Sequence, residues 1–299
     1  MTLDIREDMQ VQEAIQNMFS GSVPERENEL SELTSDLQIV FQMLPDEHKD
    51  GRVIMDAGLY RFVRFNHRVV RSFWIGAFAA WEGYRAIAES DDISAVDIGR
   101  FKELVASFEA TIANQQADDD PLPHGIPEPG ILPDKANDPQ GRAAAELAII
   151  ALGWAFLHEI RHIRHQREET SAGAFGTPEC NRKEEFSCDE FATKFILEKM
   201  EDYSSGSGDD VSLVRRKREL AIYLALFSLT LLSKDKWEES DSHPAVQERI
   251  NAVCETMGHD RDETAEVIAH AAFATLREIW PSAPIGVVCK RSINPRLVA

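Results

Sequence analysis

L-A-I-I-A-L-G-W-A-F-L, residues 147–157, runs without a polar break into His158-Glu159-Ile160-Arg161-His162. Residues 141–166 read as one helix, and its middle is apolar on every side. A helix that is apolar all round is a buried one, so the fold is expected to form around it and to be mainly α. His158 and His162 are four residues apart, close to one helical turn. They share a face and can reach one metal ion. The small side chains of Ala151 and Ala155 precede them on roughly the same side and leave room for an ion. Glu159 puts a carboxylate where it can hold a metal-bound water and take its proton.

The competing reading is a solvated, salt-bridged helix end, because Glu159, Arg161, Arg164 and Arg167 are all charged. Two features favour the metal. A chance motif on a surface helix is not normally delivered by the central core helix, and a downstream acid is available. Catalytic zinc takes three protein ligands and a water. After a polar connection, residues 168–183, a second helical pattern begins at Glu184 and reads E-E-F-S-C-D-E-F-A-T-K-F-I-L. Glu185 and Asp189 are four apart and face the same way. One can ligate the metal while the other hydrogen-bonds the free ring nitrogen of a ligand His and fixes its tautomer. Cys188, Ala192, Phe195, Ile196 and Met200 form an apolar stripe that can pack on the first helix. An ordinary amphipathic helix with a charged face has the same composition.

Three motifs occur in order: H-E-I-R-H, E-F-S-C-D-E-F-A and then H-P-A-V-Q-E-R-I from His243 to Ile250. Together they resemble the Lit family of bacterial phage-exclusion peptidases, within a wider group of gluzincin-like zinc peptidases. The resemblance covers mainly residues 141–253. An upstream aromatic helix with Phe73, Trp74, Phe78 and Trp81 is similar as well. The resemblance implies a helical zincin-like metallopeptidase core holding one Zn2+ ion. It implies His158, His162 and Glu185 as ligands, Glu159 as general base and Asp189 as the acid behind a ligand. His243 and Arg249 then line the site and stabilise the oxyanion. The implied activity is zinc-dependent endopeptidase action on a protein, such as elongation factor Tu, in phage defence or abortive infection, with a phage-derived trigger as a candidate partner. One departure is Cys188, where the family pattern often has Ala.

His165 lies about 10 Å along the helix axis from His158, too far for one ion, so it reads as a surface or supporting residue. His243-Pro244 also reads as a helix start, with Arg249 then in an ordinary surface pair. His48, His67, His124, His259 and His270 have no local constellation.

The chain has 299 residues and a formal net charge of −20, from 32 Lys plus Arg against 52 Asp plus Glu. That balance argues against nucleic acid and anionic membranes as partners. The start, M-T-L-D-I-R-E-D, has no signal-peptide pattern. The apolar run ending at His158 is short for a bilayer, so no transmembrane segment is expected. Cys180, Cys188, Cys254 and Cys289 form no CxxC pair and read as reduced thiols, so the expected location is cytoplasmic. Peripheral contact with the inner membrane through residues 72–81 is an open alternative.

The expected layout has four parts. Residues 1–113 form an N-terminal helical region, with one or two charged helices in 1–48, a candidate short β-hairpin in 52–65 around Asp56-Ala57-Gly58, and helices at 66–90 and 98–113. Residues 114–140 are a Pro- and Asp-rich loop, a candidate gate for substrate. Residues 141–280 hold the peptidase core, with a turn at 203–210, a helix at 211–232 and a last helix at 262–279. Residues 281–299 are a tail. The other functions left open are a non-catalytic zinc-binding helical regulator and a helical interaction module without metal.

Overall fold

The computed structural model describes residues 5–45, 53–90, 96–114, 121–173 and 176–288. In chain order, α1 (Ile5–Gly21) and α2 (Glu27–Asp36) precede three strands, β1 (Val40–Leu44), β2 (Met55–Ala57) and β3 (Phe62–Asn66). Helices α3 (His67–Ala88), α4 (Gly99–Ala113), α5 (Pro139–Arg167), α6 (Pro178–Leu197), α7 (Met200–Ser207), α8 (Val211–Leu232), α9 (Val246–Met257) and α10 (Glu263–Ile279) follow. The protein is mainly α, as the sequence implies.

The central element is α5. Asp138 caps its start by accepting from the Gly141 N–H, and Pro139 occupies the first turn, where a missing N–H is no loss. Around it pack α6, α8, α3, α1 and the sheet. The approach to the α1 end is so close that a Cβ on Gly153 would sit 2.5 Å from Ser22 Oγ. On the sheet side, Phe156 meets Phe19, Phe41 and Phe65 with ring centroids 5.4–6.1 Å apart, edge to face. By length and composition α5 could cross a membrane, but 78% of its most apolar window is buried against the rest of the chain.

The β element is larger than a hairpin. β2 pairs antiparallel with β3, Met55 opposite Phe65 and Ala57 opposite Val63, as expected within 52–65; residues 51–52 lie outside the described part. On its other edge β3 pairs in parallel with β1, Val40 opposite Phe62. Residues 1–48 are therefore not only helical. The short run Val40-Phe41-Gln42-Met43-Leu44 is a strand because β3 supplies a ladder partner and Phe41 has a core to enter. Within the expected turn at 203–210, residues up to Ser207 extend α7, which ends on left-handed Gly208.

The described part of the loop, residues 121–138, docks on α3 and α4. The Trp74 indole N–H donates to Pro127 O at 2.8 Å, and Leu122, Ile126 and Leu132 pack on the core.

Candidate functional site

An open cavity of about 860 Å3 lies at the C-terminal end of α5. Its floor is Trp154, Ala155, His158, Glu159 and His162 of α5, with Glu185 of α6 and Arg249 of α9. One wall is β2, the edge strand of the sheet, and the opposite wall is the 233–244 connection that carries His243. No described residue of the 121–138 loop lines it, so the gating expectation gains no support from the cavity's walls.

Three donors converge on the floor. His158 Nε2 is 3.2 Å from His162 Nε2, and Glu185 places its oxygens 3.4 and 3.3 Å from these two atoms. A tetrahedral zinc with bonds of about 2.0–2.1 Å sets its ligands about 3.3 Å apart. The mutual spacing therefore fits one ion held by two imidazoles and one carboxylate.

The far side of each ring fixes the tautomer. His158 Nδ1 is 2.9 Å from Asp189 Oδ1, and His162 Nδ1 is 2.7 Å from Glu184 Oε1. An ionised carboxylate only accepts, so each Nδ1 carries the hydrogen, and in the neutral ring each Nε2 turns a lone pair inward. Glu184 is itself positioned by the Ala172 N–H and the Ser171 hydroxyl. Asp189 is clamped by Arg249, whose Nε and Nη2 donate to its two oxygens at 2.8 and 2.7 Å. Arg249 Nη1 is also 3.4 Å from Glu185.

Burial works against the charge on Glu185, Asp189 and Glu184, yet all three stay below the usual carboxylate range. The imidazoles hold Glu185 and Glu184 down, and Arg249 does so for Asp189. Burial likewise opposes charge on His158 and His162, but Asp189 and Glu185 raise the first, and the Cys188 side chain, then Glu184 and Glu185, raise the second. The pocket thus favours a positive charge at the convergence point, whether protons or a metal cation carry it. Glu159 differs from its neighbours. No side-chain hydrogen bond joins it to a described residue, and burial pushes its carboxyl up.

Cys188 is a rival third donor: its Sγ and ring nitrogens of His158 and His162 lie within 4.8 Å of one another. It is fully buried, does not line the cavity, and burial pushes its thiol up to about 11. Glu185 lines the cavity, and its carboxyl is held well below the usual range, so it offers an ionised oxygen where Cys188 offers a neutral thiol.

The sequence reading puts Arg249 at a developing oxyanion or in a surface pair. The surface pair does not fit, because the guanidinium is buried against Asp189 and Glu185; Arg249 does line the cavity, as the resemblance implies. His243 does face the cavity, its Nε2 3.8 Å from Glu185 and its Nδ1 2.7 Å from Ser242 Oγ. It lies ahead of α9, whose first residue is Val246, so the Pro244 helix-start reading does not hold. His165 is buried between Thr170 and Ser187 at 2.8 and 3.0 Å, a strut between the two site helices. Glu184 is the residue that motif reading passes over. The doubled acid Glu184-Glu185 was its only signal, since only the fold shows that two rings need two separate carboxylates.

The sequence pattern of the peptidase U49 family matches residues 63–272, more than half of the chain. The chain belongs to the peptidase U49 family. Membership makes it a peptidase, with protein as its substrate. The match spans His158, Glu159, His162, Glu184, Glu185, Asp189, His243 and Arg249. No curated protein and no solved structure matches the chain.

Proposed function

We propose that this U49 peptidase is a zinc-dependent endopeptidase of Lit type. The observation that carries the reading is the 3.2–3.4 Å triangle of His158 Nε2, His162 Nε2 and Glu185 oxygens beside a free carboxylate, Glu159. When bound there, zinc supplies Lewis acidity, lowering the pKa of a water and polarising the scissile carbonyl. Glu159 takes the proton of the attacking water and hands it to the leaving amine. His243 reaches over the floor from the opposite wall and donates to the oxyanion. Asp189 and Glu184 hold the Nδ1 protons and so keep both lone pairs turned inward. Arg249 is a positioning residue that offsets the charges of Asp189 and Glu185.

A non-catalytic zinc protein has no use for a carboxylate placed like Glu159, which weighs against the regulator reading. The Lit resemblance adds a cytoplasmic setting, a phage-derived trigger and a translation factor such as elongation factor Tu as substrate. The test is cleavage of such factors by the zinc-loaded protein, followed by mass spectrometry of new N-termini. Cleavage by the wild type that is absent from Glu159→Gln supports the proposal. Equal cleavage by both, or cleavage that survives zinc chelation, contradicts it.

A further inference from the structure

The β2–β3 turn carries an exposed apolar pair that the catalytic cluster does not use. Leu59 is 76% exposed and Tyr60 59% exposed. The turn is held rigidly. The Gly58 N–H donates to Phe62 O at 2.6 Å, and a side chain at Gly58 has no room, since its Cβ would fall 2.8 Å from Phe62 Cβ. Tyr60 has a left-handed backbone, φ 56°, which a bulky residue adopts only when its surroundings impose it. Here the last turn of α5 imposes it. The Tyr60 N–H donates to Gln166 Oε1 at 2.7 Å, and Arg167 donates to Tyr60 O at 2.9 Å and to Leu37 O at 2.5 Å. These bonds use only the backbone of Tyr60 and leave both apolar side chains outside.

The knob is continuous with the cleft. Gln166 lines the cavity, and so do Met55, Asp56 and Ala57 of β2, which leads directly into the turn. A protein crossing the floor at His158 therefore meets Leu59 and Tyr60 beyond the cavity's edge. The turn precedes residue 63, where the family match begins, so membership assigns it nothing. The net charge of −20 disfavours an anionic membrane as the occupant.

We infer that Leu59 and Tyr60 form an exosite that docks an apolar patch of the folded protein substrate outside the cleaved segment. Rigid anchoring suits this role, because an ordered knob loses little conformational freedom on binding. Tyrosine is among the side chains that most often carry binding energy at such contacts, and Leu59 extends the apolar area beside it. The inference rests on the endopeptidase reading and is tested separately from it.

The test uses the full-length, zinc-loaded protein and a Leu59→Ser/Tyr60→Ser double variant, which keeps every backbone anchor. Two probes are compared: a degenerate peptide library, and a native cell extract in which new N-termini are labelled and counted. The same extract after denaturation is the control. The expected result is library and denatured-extract cleavage within twofold of wild type, with cleavage of native proteins at least tenfold slower. Unchanged cleavage of the native extract overturns the exosite and leaves the peptidase reading intact. Equal loss on all probes also overturns it, by showing that the pair serves the cleft or the fold. A wild type that dimerises in light scattering while the variant does not would make the pair a self-association surface instead. Failure of the wild type to cleave any probe removes the zinc-endopeptidase reading and the exosite together.

Discussion

The two flanks of α5 are stabilised by opposite means. On the sheet side, Phe156 sits among Phe19, Phe41 and Phe65, with contacts that are non-directional and many. On the α6 side, His158 meets Asp189, His162 meets Glu184, and Arg249 closes the network behind them. The first flank tolerates side chains of similar size and shape. The second admits one arrangement, because each buried charge needs its own partner. One helix therefore serves as the anchor of the fold and, in the proposed function, as the carrier of the chemistry, and its two sides should respond differently to substitution.

The sharpest break is on the chemical side. Glu159→Gln is expected to lower kcat by about 10²–10⁴ while leaving zinc content and melting temperature unchanged, as elemental analysis and calorimetry will show. Arg249→Met should lose both properties. It leaves Asp189 and Glu185 uncompensated in a buried place, destabilising the fold by about 3–5 kcal/mol and weakening zinc about 10–100-fold. Denaturant titration and competition with a chelator measure the two effects. On the sheet side, Phe156→Ala should destabilise by about 3–5 kcal/mol yet keep zinc stoichiometry and kcat at temperatures where it stays folded. If its zinc affinity fell as far as that of Arg249→Met, the two flanks would not be independent.

A pH experiment probes the sheet side again. His67 opens α3 just after β3, and burial, with nearby Arg71 second, pushes its pKa down from 6.5 to about 4. Folding thus favours its neutral form. As pH falls from 6.5 to 4, the unfolded chain takes up a proton that the folded protein refuses, and about 3 kcal/mol of stability is lost over that window. His67→Gln should flatten this dependence by about 2 kcal/mol between urea melts at pH 7 and pH 4.5. The smallest effect is Thr193→Val. It removes the acceptor of the Trp154 indole N–H at 3.0 Å and should cost about 1–2 kcal/mol with catalysis preserved.

The same contrast explains what the sequence made legible. The run 147–157 is apolar throughout, so the central helix and the mainly α class could be read from it. The spacing of His158 and His162, and of Glu185 and Asp189, follows from helical periodicity, and the structure brings these four side chains together. β1 was not legible, because Val40–Leu44 is short and follows a charged region, and it is a strand only because distant β3 pairs with it. The position of Arg249 was missed for a similar reason. Nothing local says that an arginine on α9 lies against an aspartate 60 residues earlier. Periodicity reports which face a residue is on, but the partner of a charge is set by tertiary packing.

The most direct measurement is zinc per chain, by elemental analysis after dialysis against metal-free buffer, in wild type, Glu159→Gln and Glu185→Ala. The account predicts one zinc in wild type and in Glu159→Gln, and loss of the ion from Glu185→Ala. No zinc in the wild type after reconstitution, or full retention in Glu185→Ala, would contradict the assignment of His158, His162 and Glu185 as the metal site.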